Sequence, residues 1–99
     1  MTAYVPRARR LGLAMPIRYR RPGDHEWVLS RVLNISESGV LFGPTALEPG
    51  APVEVTFSAP VAVGTLGPGS LVCAGQVVRA TEAGVVGARF AECRFLLEP

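Results

Sequence analysis

The sequence has no lysine, one histidine, one tryptophan and one aspartate in 99 residues, and only two cysteines. With only Cys73, Cys93 and His25 as soft ligands, a structural zinc site, which needs four ligands and usually Cys-x-x-Cys spacing, is poorly supplied. His25 is flanked by Asp24 and Glu26 in a Gly-Asp-His-Glu turn and has no partner nucleophile, while Ser30 lacks the strand-turn-helix context of a nucleophile elbow, so the chain does not read as an enzyme. Long apolar runs are also missing. Val61–Leu66 is interrupted by Gly64 and Thr65, well short of the about 18 residues a membrane-spanning helix needs. The N-terminal run Leu11–Ile17 contains Gly12 and Pro16 and leads into Arg18, Arg20 and Arg21 rather than a small-residue cleavage site, which predicts no export and a cytoplasmic, reducing location. In that compartment the two cysteines are expected as buried small hydrophobes rather than a disulfide.

What is present suits one compact unit. The chain is 48% hydrophobic and 18% charged, enough apolar surface for one core and too short for two. Eleven glycines and nine prolines are spread along its length, punctuation that favours short strands joined by turns over helices. The net charge of +2 conceals a segregation: residues 1–23 carry six arginines and no acid, whereas the rest carries four arginines against eight acids. All ten basic residues are arginine. A guanidinium offers a planar fork for phosphate or a guanine edge and a flat face for stacking, so the basic segment suits a nucleotide-type anion. GC-rich codon usage, which the abundant Ala, Gly and Pro also suggest, would produce the same bias, so charge alone does not decide.

The hydropathy pattern reads as strands. Leu11–Arg20 alternates in its second half, with Met15, Ile17 and Tyr19 on one face. Arg21-Pro-Gly-Asp24 turns into a returning strand, Glu26–Asn34, in which neither parity is clearly the inner one. Gly39–Phe42 is a third strand and Val53–Phe57 a fourth, followed by a Pro/Gly-rich loop over Ala59–Gly69. Leu71–Arg79 and Val85–Phe90 form a last hairpin through Thr81-Glu-Ala-Gly84, and the tail Cys93–Leu97 could be further strand or a helical turn. Six strands with no amphipathic helix predict an all-β fold, a small six-stranded antiparallel barrel, whose closure removes sheet edges.

One hexapeptide stands out. Asn34-Ile-Ser-Glu-Ser-Gly39 gathers an amide, two hydroxyls and a glycine at a strand-to-strand turn. These are default turn residues, yet an amide and a hydroxyl can also read a base edge while glycine admits a flat ligand. The order of features is the arginine-rich N-terminus, Met15-Pro-Ile-Arg-Tyr-Arg20, the Trp27 strand, Asn34-x-Ser36-x-x-Gly39, Gly75-Gln-Val-Val-Arg79 and Gly87-Ala-Arg-Phe90. In this the chain resembles, along essentially its whole length, a PilZ domain, a six-stranded barrel that serves bacteria as a cyclic di-GMP receptor. The resemblance implies a single domain over 1–99: a flexible arginine-rich arm at 1–11, the barrel at 12–91 and a C-terminal tail at 92–99. It also implies two ligand motifs, Arg-x-x-x-Arg in the arm and Asp/Asn-x-Ser-x-x-Gly on the barrel. The second is met by Asn34, Ser36 and Gly39. For the first, no two arm arginines are four apart; Arg10 falls where the second arginine belongs, Pro6 where the first does, and Arg7 stands three before Arg10, with Arg9 an alternative contact.

On this resemblance, Arg7 and Arg10 fork onto phosphate or a guanine edge, Asn34 and Ser36 bond the same guanine, and Gly39 lets it approach the barrel. The arm would order on binding and be read by a downstream protein. No cofactor beyond the ligand, no metal and no membrane insertion are expected. Arg18, Arg20 and Arg21 are expected as a solvated strand face and turn, and Arg79 and Arg89 as structural. Two other readings stand beside this one. The displaced arginine spacing suits an adaptor that has lost the nucleotide and works through a protein partner. A small nucleic-acid-binding barrel would use the basic arm, but it normally displays surface aromatics, and most of the seven here sit at core-suited positions.

Overall fold

The structure is a computed structural model that describes residues 15–59 and 69–95. Residues 1–14, which include the arm bearing Arg7, Arg9 and Arg10 and the expected start of the barrel, residues 60–68 of the loop and residues 96–99 lie outside the described residues. Six strands follow in chain order: β1 Pro16–Arg20, β2 Val28–Ser36, β3 Gly39–Gly43, β4 Pro52–Ala59, β5 Gly69–Ala80 and β6 Val86–Phe95. All neighbours are antiparallel, and the order β1-β2-β3-β6-β5-β4 closes on itself through Arg18↔Thr56, Tyr19↔Val55 and Arg20↔Glu54. The expected all-β, six-stranded antiparallel barrel is therefore present. The tail left open between strand and helix continues as β6, as far as Phe95.

Alternation along each strand fills the barrel. Ile17 from β1, Val32 and Ile35 from β2, Val40 and Phe42 from β3, Val53, Val55 and Phe57 from β4, Leu71 and Val77 from β5, and Val86 from β6 are all buried. Phe42, fully buried, lies against Tyr19 with ring centroids 5.4 Å apart, a spacing that favours tilted aromatic packing.

Three register shifts interrupt the ladders, one in β2–β3 and two in β5–β6, and those at Val32/Asn34 and Val77/Arg79 decide what the groove face shows outward. In β2 the register shifts between Val32 and Asn34, so Val32 and Ile35 both face inward while the intervening Leu33 and Asn34 are displaced to the outer side. The extra residue re-aims every side chain beyond it, whereas the undecided parity of Val28–Leu33 has another cause: Ser30 and Val32 are inside while the apolar Leu29 and Leu33 are exposed. Ser30 takes an inward position and donates its hydroxyl to the carbonyl of Pro44 at 3.1 Å, which satisfies it in the interior. A second shift, between Val77 and Arg79 in β5, leaves both Val78 and Arg79 exposed.

Two expectations are corrected. Arg20 is no merely solvated strand residue: its Nε donates to Glu54 Oε1 at 2.9 Å, its Nη1 donates to the Asp24 carbonyl at 3.1 Å, and its guanidinium lies 4.2 Å from the Trp27 ring centroid. Barrel closure pairs Arg20 with Glu54 directly, and the ring supplies a face for the cation. Cys73 and Cys93 are not separate buried thiols but a disulfide. Compartment was the only guide in the sequence, whereas the register sets these residues opposite one another on β5 and β6, 4.0 Å apart at Cα.

Candidate functional site

The outer face of β2, β3, β6 and β5 carries a shallow groove of about 280 Å³. Asn34 and Ser36 supply one wall, Gly39 and Leu41 the floor along β3, Gly87 and Arg89 the adjoining floor and rim along β6, and Val78 and Arg79 the far wall. The floor is low because of residue choice as well as curvature: β3 and β6 each present an outward glycine, and Leu41 pairs with Gly87 while Gly39 pairs with Arg89. Past Val78 and Arg89 the surface dips into a second trough of about 500 Å³, lined chiefly by apolar residues including Pro52, Ala74, Phe90 and Ala91.

The Asn34–Gly39 segment forms the end of one hairpin, with Ser36 paired to Gly39 across the two-residue turn Glu37-Ser38. Ser36 is buried, and its Oγ accepts the Ser38 amide at 3.2 Å and shares a hydrogen bond with Ser38 Oγ at 3.1 Å. This side-chain-to-backbone bond braces the turn. The hairpin end is tied to β6 by the Phe90 amide, which donates to the Ser38 carbonyl at 2.9 Å. Ser36 thus has a structural task before any ligand arrives. Asn34, half-buried, makes no side-chain hydrogen bond among the described residues and presents a free donor and acceptor to the groove.

Gly39 has a role that the sequence did not suggest. Its φ is not positive, so dihedral freedom is not what it supplies. A β-carbon built there would run into the carbonyl oxygen of Ala88 on β6. The close approach it permits in this structure is that of the neighbouring strand. Gly87 does something different: a β-carbon there would meet Nε and Cγ of Arg79 at 3.2 and 3.3 Å, because the Arg79 side chain lies across it toward Leu41.

Of the candidate residues, the fold brings Asn34, Ser36 and Gly39 into one groove, whereas Arg7, Arg9 and Arg10 lie outside the described residues. Sequence reasoning missed Ser38, Arg79, Gly87 and Arg89 as groove residues. The signal was partial: Gly87 and Arg89 share a parity in β6, but only the β3–β6 pairing brings them beside the Asn34 hairpin.

The PilZ domain family model matches this chain over residues 6–96. The chain belongs to the PilZ domain family. No curated protein matches the sequence. PilZ domains are cyclic di-GMP receptors and adaptors, a family of binding rather than catalytic modules. In this PilZ domain no helix among the described residues is long and apolar enough to cross a membrane.

Proposed function

We propose that this PilZ domain is a cytoplasmic receptor module for cyclic di-GMP, that the groove over β2, β3, β6 and β5 is its binding surface, and that the N-terminal arm carries its output. The observation that carries the reading is the convergence of Asn34, Ser36 and Gly39 on one groove whose lining, among the described residues, includes no acidic residue. An anionic dinucleotide therefore meets no like charge among the lining side chains. The Asn34 amide offers both a donor and an acceptor to a guanine edge. Ser36 holds the turn and turns Ser38 toward the same opening. Arg7 and Arg10, with Arg9 as the alternative, close over the ligand from the chain preceding β1 and fork onto phosphate or a base edge. Drawing the arm onto the barrel changes the surface that a downstream protein meets.

Calorimetric titration of the full chain with cyclic di-GMP, using GTP and cyclic di-AMP as controls, tests this. Selective binding that is lost in Asn34→Ala and in Arg10→Ala is the expected result. Absence of both heat and thermal shift at high ligand concentration overturns it, leaving an adaptor that acts through a protein partner without nucleotide.

A further inference from the structure

Arg79 and Arg89 stand on adjacent strands, both exposed and both on the groove rim. Arg79 pairs with Gly87, and Arg89 is the next residue on the same face of β6, a diagonal placement that sets such positions about 7–8 Å apart. Neither guanidinium has a hydrogen bond or ion pair among the described residues, although Arg20 shows that this barrel pairs an arginine where it needs one. Two like charges set side by side repel one another, and among the described residues no acid lines the groove to offset them. The fold nevertheless seats them with care. Gly87 is bare where the Arg79 stem crosses it, Gly39 faces Arg89 across β3–β6, and the bulge at Val77/Arg79 turns Arg79 outward. Opposite stand the free amide of Asn34 and the Ser36–Ser38 turn.

We propose that Arg79 and Arg89 form an anion clamp built into the barrel wall, and that they contact the phosphates of the dinucleotide whose base Asn34 reads. This rests on the receptor reading above and adds to it. The cations that the arm's displaced spacing fails to supply, with Pro6 where an arginine belongs, come from β5 and β6 instead. A planar guanidinium serves such a site better than an ammonium because it forks onto two phosphate oxygens.

The test is calorimetry of the full chain with cyclic di-GMP as probe, comparing wild type, Arg79→Gln, Arg89→Gln and Arg94→Gln. Arg94 lies on the same strand as Arg89 but outside the groove, so it controls for the loss of one positive charge. Each clamp substitution is expected to weaken binding roughly ten- to hundredfold, the scale of one charge-assisted hydrogen-bonding group, while Arg94→Gln stays within about twofold because an exposed charge outside the site acts only through screened, long-range attraction. Thermal melts establish that each variant folds, and Arg79→Lys and Arg89→Lys replace any glutamine variant that does not. Wild-type binding that Arg79→Gln and Arg89→Gln leave unchanged would overturn the clamp and leave the receptor reading standing. No binding by wild type would overturn both.

Discussion

Replacing Gly39 by alanine separates a structural glycine from a ligand-contacting one. The added methyl would occupy the space of the Ala88 carbonyl, and both partners are backbone, so neither can swing aside as a side chain would. Relief requires β3 and β6 to part at Gly39↔Arg89 and Val40↔Ala88 and strains the bond from the Phe90 amide to the Ser38 carbonyl. Loss of one or two such bonds at about 1 kcal/mol each, with overpacking strain of about 1–3 kcal/mol, gives a destabilisation of about 2–5 kcal/mol. For a domain of this size that lowers the melting temperature by roughly 10–25 °C. The assay is thermal unfolding by circular dichroism without ligand, with Asn34→Ala as the comparison. Asn34 has no side-chain hydrogen bond to lose among the described residues, so its replacement is expected to change stability by no more than about 0.5 kcal/mol. If Gly39→Ala melts within about 2 °C of wild type, less than 1 kcal/mol separates them and the steric argument is wrong. If it melts early, weakened nucleotide binding in that variant reports a distorted hairpin rather than a lost contact.

Other perturbations have defined outcomes. Reducing Cys73–Cys93, a bridge of sequence separation 20, is expected to remove about 3 kcal/mol through the regained entropy of the unfolded chain; a melt unmoved after two free thiols have been counted contradicts this. Arg20→Ala removes a partly exposed ion pair with Glu54 and the contact with Trp27, expected to cost about 1–2 kcal/mol in urea unfolding. Arg20→Lys should recover part of that, and equal loss in both variants would show that charge is not what matters there. Phe42→Ala empties a fully buried position and is expected to cost about 3–5 kcal/mol, against about 1.5 kcal/mol or less for Phe42→Leu; equal urea midpoints for the two would contradict the packing described.

The alternation of β1 and β4 and the turn chemistry at Thr81–Gly84 were readable from sequence because local pattern and final burial agree. Ile17, Val53, Val55 and Phe57 are inside, and Gly84 takes the left-handed conformation the turn needs. β2 was not readable, because its outward face carries the exposed Leu29 and Leu33 while a serine, Ser30, takes an inward position beside Val32, and the bulge after Val32 then ends the two-residue period. The site divided in the same way. Asn34, Ser36 and Gly39 lie within six residues and announce themselves as a motif, whereas Arg79, Gly87 and Arg89 join them only through the β3–β6 and β5–β6 pairings. Arg20 and Cys73 were misjudged for the same reason. Their partners, Glu54 and Cys93, are distant in sequence and become neighbours only through register.

The most direct test of the central claim is to follow backbone amide resonances of the isotopically labelled full chain during titration with cyclic di-GMP. The account predicts saturable, selective shifts concentrated at Asn34, Ser36, Ser38, Gly39, Arg79, Gly87 and Arg89, with the β1–β4 wall around Arg18 and Thr56 little changed. Shifts centred on the β1–β4 wall, or none at saturating nucleotide, would contradict it.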